Sequence, residues 1–594
     1  MKIPERKDVA KEHCWNLSRL YPSDAGWETG LADYKNMASR IESFRGTLGV
    51  SADGLKSCLD FMTELGMLEE RLGYYVQMRH SEDGGDGRTQ DMYGRYVQAA
   101  VQANAAAGYM NPEILAIPAE KMEAFMESLP EYQIPLTKLV RNRPHILSEA
   151  EEKLLALQEE ANETANKAFS ALTDVDMDFG SLSTPEGERP LSQSSFQAFL
   201  ESPDRALRER AYSRFMGVFD AHKNTLAALL AGSVNLDMYR ARVRKFPSAR
   251  AAHLFPDNVP EAVYDNLIST VHKSLPALHR YYNLRRRVLG LDTLCMYDTK
   301  TPLVKDVQSR HSYEEAVEVV LSALAPLGTE YTGILRKGLL GGWVDRYENK
   351  GKHSGAFSAG SYCGDPYILL NYKDDLLRDV FTLAHEAGHS MHSYYSVQNN
   401  PFQHYNYTIF EAEVASTFNE QLLFTYLISH ADSENFRAYL TGKQIDDIIA
   451  TFFRQTMFAE FEHLCHASVE NGKPLTLENI RAIYHKLLEE YFGPALSVAP
   501  ADELEGLRIP HFYRAFYVYK YATGIAAAIS LSRKVLGGAE VERSDYFSFL
   551  TSGGSRFPLE SLRRAGVDMS RPEAVEDAAA LFASLVDEFE KFFA

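Results

Sequence analysis

Apolar residues recur at helical spacing through most of this 594-residue chain, and that rhythm limits the fold more than any other feature does. "SEAEEKLLALQEEANETANKAFSAL", from Ser148, opens with Ser148 and Glu151 at capping-box spacing and then keeps a helical period. "SPDRALRERAYSRFMGVFDAHKNTLAALLAGSVNLDMYRARV" and "VPEAVYDNLISTVHKSLPALHRYYNLRRRVLG" behave in the same way. Strand-like text is confined to two places. "TDVDMDFGSLS" (173–183), ahead of the Pro- and Gly-containing "TPEGERPLS", reads as a small hairpin or an edge strand and marks a lobe boundary near residue 190. "SGAFSAGSYCGDPYILLNYKDD" (354–375) is rich in Gly, Ser and aromatics and has no helical period. No internal repeat and no low-complexity tract supports a solenoid. The chain is too long for one hydrophobic core. The expectation is a mainly α protein with an N-terminal lobe (1–190), a second lobe (191–594) and a small sheet just before the helix that follows residue 375.

Charge and cysteine usage narrow the function classes. A net charge of −19 repels phosphate backbones and anionic lipid, so neither nucleic acid nor a membrane is an expected partner. The N-terminal text has no apolar signal core, and no stretch approaches the roughly 18 apolar residues of a membrane span. The five cysteines are scattered, odd in number and never in CxxC pairs, which reads as reduced thiols. A soluble cytoplasmic protein is expected.

The chemistry concentrates in "TLAHEAGHSMHS" (382–393). His385 and His389 are one helical turn apart on one face, about 6 Å along the axis. Two imidazoles at that spacing converge on one zinc ion, while Glu386 on the adjacent edge reaches a water. The small Ala387 and Gly388 allow close packing at this point. His392 lies two turns from His385, about 10.5 Å of rise, too far to share the ion. A third ligand is needed, and "YTIFEAEVASTFNEQLLFTYLISH" offers it on a second helix. Glu411 turns to the other side of that helix, whereas Glu413 and Glu420 share a face and remain tied on spacing.

Here the chain resembles the oligoendopeptidase F branch of the thimet-type zinc metallopeptidases. The pattern HExGHxxH stands as His385, Glu386, Gly388, His389 and His392, and the family's E-x-x-S helix stands as "EVASTFNE". "CWNLSRLYPSDAGWE", "SARAAHLFPDNVPEAVYDNLI", "MYDTKTPL", "GKHSGAFSAGSY" and "FLTSGGSRFPLESLRRAGVDM" are similar to the branch along nearly the whole chain, with Asn16 where Asp is common. The resemblance implies Glu413 as the glutamate ligand, one Zn2+ per chain and Glu386 as general base and acid. It implies two helical lobes around a deep channel with a zincin-like core, admitting short unfolded peptides. It also implies that a histidine and two tyrosines of "RIPHFYRAFYVYKYATGIAAA" face the scissile bond. Those fall at His511, Tyr513 and Tyr519, with Tyr517 as the alternative to Tyr513.

The expected function is zinc-dependent cleavage of internal peptide bonds, with "GAFSAGSY" as a backbone rail for an extended peptide. The rival readings are a carboxypeptidase or dipeptidyl carboxypeptidase of the same chemistry, and a non-catalytic helical protein that holds peptides.

Overall fold

The helical rhythm becomes helix almost throughout in the computed structural model, which describes residues 3–304 and 309–594. Among the helices are α1 (Ala52–Glu82), α2 (Gly87–Ala107), α3 (Glu149–Asn162), α4 (Arg205–Val243), α5 (Glu261–Val288) and α6 (Leu377–Asn399). They continue with α7 (Ile409–Ser429), α8 (Arg454–Glu470), α9 (Leu477–Phe492), α10 (Tyr519–Leu536) and α11 (Glu573–Phe592). The Ser148–Glu151 capping box forms at the start of α3, where the Glu151 carboxylate accepts the Ser148 N–H at 2.9 Å. Such a box satisfies N–H groups that a helix start leaves without partners.

The chain divides into two compact units that alternate along it. The first comprises Met1–Pro144, Gln308–Tyr426 and Leu531–Val567; the second comprises His145–Val307, Leu427–Ser530 and Asp568–Ala594. Residue 190, the expected lobe boundary, falls inside the second unit. It closes a hairpin there, β1 (Ser181–Thr184) antiparallel to β2 (Gly187–Pro190), which turns through Gly187 at a φ of +119°. Only glycine adopts that backbone cheaply.

The first unit holds the other sheet, made of β3 (Val344–Asp345), β4 (Phe357–Ala359) and β5 (Tyr367–Leu369) in the order β3-β5-β4. β3 runs parallel and β4 antiparallel to β5, with Ser358 opposite Ile368. β4 is therefore an edge strand. The sheet is buried by residues far away in sequence: Tyr367 and Leu369 share a core with Trp15, Leu20, Leu72 and Tyr75. Each large apolar side chain buried this way stabilises the unit by about 1.5–3 kcal/mol. Charges pin the same region, with Arg6 2.6 Å and Lys352 2.7 Å from Asp345, whose side chain is 1% exposed. Among the described residues, no helix is long and apolar enough to cross a membrane.

Candidate metal centre

The site is built where α6 crosses α7. A Cβ on Gly388 would lie 2.5 Å from the Ala415 carbonyl oxygen and from Ser416 Cα, so glycine sets how closely the two helices approach. Asn419 clamps the crossing by donating to the Ala384 carbonyl at 3.1 Å. The helical spacing brings the His385 and His389 rings to 4.9 Å between centroids. Glu413 Oε2 then stands 3.6 Å from His385 Nε2 and 3.9 Å from His389 Nε2. One donor atom from each of these residues lies within 4.8 Å of the others, the one such His/Cys/Asp/Glu group among the described residues. A tetrahedral zinc with ligands about 2.0–2.2 Å away spaces its donors about 3.3–3.6 Å apart, so the set fits the ion and leaves one position open.

Glu420 has a different part. Its Oε1 is 3.2 Å from His385 Nδ1, the nitrogen that faces away from Glu413. A carboxylate there holds the imidazole with Nε2 bare toward the donor set. In the metal-free protein, burial would lower the His385 pKa, but Glu420 raises it to about 9. Burial and the neighbouring His385 push His389 down to about 3. Burial carries Glu386 up to about 7, with His385 opposing and Glu413 and Glu420 adding to the rise. Glu386 is 7% exposed and close to the pKa that suits a proton carrier at neutral pH.

His392 stays out of the donor set. It is 1% exposed, its ring stacks on Tyr407 at 3.7 Å, and Phe549 lies 4.7 Å away. Tyr407 and the glycines of "TSGGS" were not singled out in the sequence. Gly554 donates its N–H to the His404 carbonyl at 2.7 Å, and Asn400 donates to the Thr551 carbonyl at 2.8 Å. A Cβ on either Gly553 or Gly554 would collide with the backbone of residues 404–406. This docking fixes the loop that leads into α7 and Glu413. Adjacent glycines in an otherwise helical context were the available signal.

The other candidates lie in the second unit. His511 is exposed on the short turn Pro510–Tyr513. Phe516 follows at a φ of +54°, its N–H held by Glu462 Oε1 at 3.0 Å. That left-handed residue resets the chain before α10 and turns Tyr517 and Tyr521 toward His511, with ring centroids 6.2 and 6.1 Å away. Tyr519 is instead fully buried, 5.2 Å from the Tyr264 ring. Tyr513 is partly buried, its ring 4.4 Å from Phe169 and its hydroxyl without a hydrogen-bond partner among the described residues. Within this unit the structure thus gathers His511 with Tyr517 and Tyr521, and sets Tyr513 and Tyr519 against other rings.

Known proteins share this arrangement of sequence. Residues 198–581 match the model of peptidase family M3, and residues 113–179 match that of oligopeptidase F. Oligopeptidase PepF of Bacillus subtilis is 41% identical over 99% of this chain and 88% of its own length. A solved structure from Chlamydophila abortus, assigned there as a peptidase, superposes with a TM-score of 0.94 at 33% identity, covering all of both chains. The oligoendopeptidase-F structure from Enterococcus faecium superposes with a TM-score of 0.74 at 32% identity, over 96% of this chain and 99% of that one.

Proposed function

This chain belongs to peptidase family M3, in its oligopeptidase F branch, and is a metallopeptidase that acts on peptides; on that premise we propose that it is a zinc-dependent endopeptidase cutting internal bonds of short, unfolded peptides. The observation that carries this reading is the convergence of His385 Nε2, His389 Nε2 and Glu413 Oε2 beside the buried carboxyl of Glu386. A structural zinc site has no use for that additional carboxylate and closes its last position with protein. The chemistry supplied by one bound zinc per chain is Lewis acidity, which polarises the scissile carbonyl and acidifies a water.

The chain's own residues do the rest. Glu386 takes the proton of the attacking water and later delivers it to the nitrogen of the leaving amine as the C–N bond breaks. Glu420 keeps His385 in the ligating tautomer. The edge of β4 offers backbone groups to an extended peptide, which binds without reading most side chains. His511 is proposed as a donor to the substrate, as the family resemblance implies. Tyr517 and Tyr521, whose rings lie beside it, join it as candidate donors to the developing oxyanion. Tyr513, whose hydroxyl has no hydrogen-bond partner among the described residues, and Tyr519, whose ring lies 5.2 Å from Tyr264, remain candidates for facing the scissile bond.

The test is cleavage of an internally quenched peptide of about eight residues blocked at both ends, with metal assayed on the same sample. Wild type is expected to carry about one zinc and to cut internally, chelation to abolish the rate, and Glu386→Gln to keep the metal while losing at least about a hundredfold in kcat. Release of terminal residues alone, and only from unblocked peptides, would transfer the reading to a carboxypeptidase. A metal-loaded wild type no faster than Glu386→Gln would leave a peptide-holding protein.

A further inference from the structure

Phe516 holds a backbone conformation that a bulky residue rarely takes, with φ at +54°. Such a conformation costs free energy and persists only where its surroundings over-determine it, most often at a functional site. Two anchors capture Phe516. Its ring is 2% exposed and sits among His466, His253 and Tyr264, with centroids 4.7, 5.5 and 5.9 Å away. Those rings are pinned in turn. His466 Nδ1 donates to the Glu462 carbonyl at 2.8 Å, its Nε2 lies 3.2 Å from Asp237, and Tyr264 donates to the Ala459 carbonyl. The second anchor is the Phe516 N–H, which donates to Glu462 Oε1 at 3.0 Å. Glu462 stands on α8, buried, and its other oxygen has no hydrogen-bond partner among the described residues. Burial pushes its carboxyl well above the ordinary range; the Phe516 N–H opposes that and the Asp237 charge adds to it. A carboxyl in that state is neutral, and it serves the turn as a carbonyl acceptor, not as a charge.

We propose that Glu462 is a positioning residue for catalysis: by holding the Phe516 N–H it locks the left-handed turn that gathers His511 with Tyr517 and Tyr521, and so fixes the donors offered to the substrate carbonyl. The proposal rests on the reading above in which His511 donates to the substrate. The lever is short. Phe516 immediately precedes Tyr517, and Arg514, two residues before it, returns its N–H to the His511 carbonyl at 2.8 Å. A rotation at Phe516 therefore swings Tyr517 and the start of α10 relative to His511, whose ring lies 6.2 Å from Tyr517 and 6.1 Å from Tyr521. Once the N–H is released, a negative φ is the conformation that an L residue prefers. Donors misplaced by about 1 Å lose on the order of a hundredfold in rate, so a side chain that acts only through the turn governs kcat.

The experiment compares Glu462→Gln, Glu462→Asp and Glu462→Met in metal-loaded full-length protein, each with and without His511→Ala. Rates on a blocked, quenched peptide of about eight residues are measured beside melting temperature, bound metal and amide hydrogen exchange across residues 514–518. Glu462→Gln keeps a carbonyl oxygen for the Phe516 N–H and is expected to hold kcat within about twofold of wild type. Glu462→Met removes the acceptor and Glu462→Asp withdraws it by one methylene. Both are expected to lose about tenfold or more in kcat, with KM within about threefold and metal content unchanged. Both are also expected to exchange the Phe516 amide faster than wild type. His511→Ala itself is expected to lose about tenfold or more. In that background Glu462→Met is expected to cost less than about threefold further, because the two changes disable the same group.

A folded Glu462→Met or Glu462→Asp protein with wild-type kcat overturns the proposal, and so does a Glu462→Gln protein that loses as much as they do. Losses that multiply with that of His511→Ala give Glu462 a separate structural part and overturn it too. Should Glu462→Met fail to fold, Glu462→Asp against Glu462→Gln carries the same decision. A slow His511→Ala beside fast Glu462 variants sinks the positioning role alone and leaves the substrate-donor reading standing. His511→Ala at the wild-type rate sinks both.

Discussion

The absence of a side chain at Gly388 allows Glu413 to reach the histidines, because the backbone of Ala415–Ser416 occupies the space a Cβ would need. Gly388→Ala forces α6 and α7 apart. It is expected to cost about 1–3 kcal/mol of stability, read by denaturant melts, and to weaken metal binding in the same protein. Unchanged metal affinity in a destabilised variant would show that the crossing distance does not govern the donor set. Glu420 makes the complementary case, since it touches a ligand and not the donor cluster. Glu420→Gln is expected to lose about 10–100-fold in zinc affinity, measured by chelator competition, with little change in melting temperature. Spacing tied Glu413 with Glu420 because seven residues bring a helix back to nearly the same face. What separates them is which nitrogen of His385 each one meets, and that is fixed only when the two helices cross.

At the scale of elements, the second unit joins its helices through buried charge. The turn Asp502–Leu507 presents Glu505 to Arg454 of α8 at 2.6 Å and to the Tyr484 hydroxyl of α9 at 2.7 Å. Burial alone would raise the Glu505 pKa, but Arg454 and Arg508 outweigh it and hold the carboxyl at about 2, below its ordinary 4.5. A depressed carboxyl stabilises the fold fully above its unfolded value and loses that contribution as pH falls through its folded one. Melts between about pH 5 and 2 are therefore expected to show wild type losing stability as pH drops, with a slope that flattens in Glu505→Gln. At neutral pH that substitution strands Arg454 and is expected to cost about 3–5 kcal/mol. Equal slopes in the two proteins would remove Glu505 from the acid response. Helical text also hid a break at this scale. "RAFYVYKYATG" reads as continuous aromatic spacing, but Phe516 takes a left-handed φ and resets the register, so spacing did not tell which tyrosines accompany His511.

At the scale of the whole molecule, the two units are each assembled from three separated stretches. The sheet beside the motif helix is packed by Trp15, Leu20, Leu72 and Tyr75, and Asp345 is held by Arg6. A fragment of residues 191–594 keeps the whole HExxH segment and Glu413 but loses those partners. It is expected to unfold without a cooperative transition and to bind zinc far more weakly than the full chain, as read by urea melts and metal titration. A cooperative, metal-binding fragment would mean that the N-terminal stretch is dispensable to the first unit. By itself, the sequence determined what is local: the helices, the Ser148 capping box, and two histidines one turn apart with a glutamate beside the first; of the strand-like stretch 173–183 only Ser181–Ser183 is strand, since Ala171–Asp176 is helical. These follow from propensity and from the fixed pitch of a helix, which need no distant partner. Only the tertiary structure decided the division into interleaved units, the place of Glu420 behind His385, and the glycine pair Gly553–Gly554 that docks the loop before α7. Each depends on contacts between segments far apart in the chain, and neither periodicity nor spacing carries information about which distant segments meet.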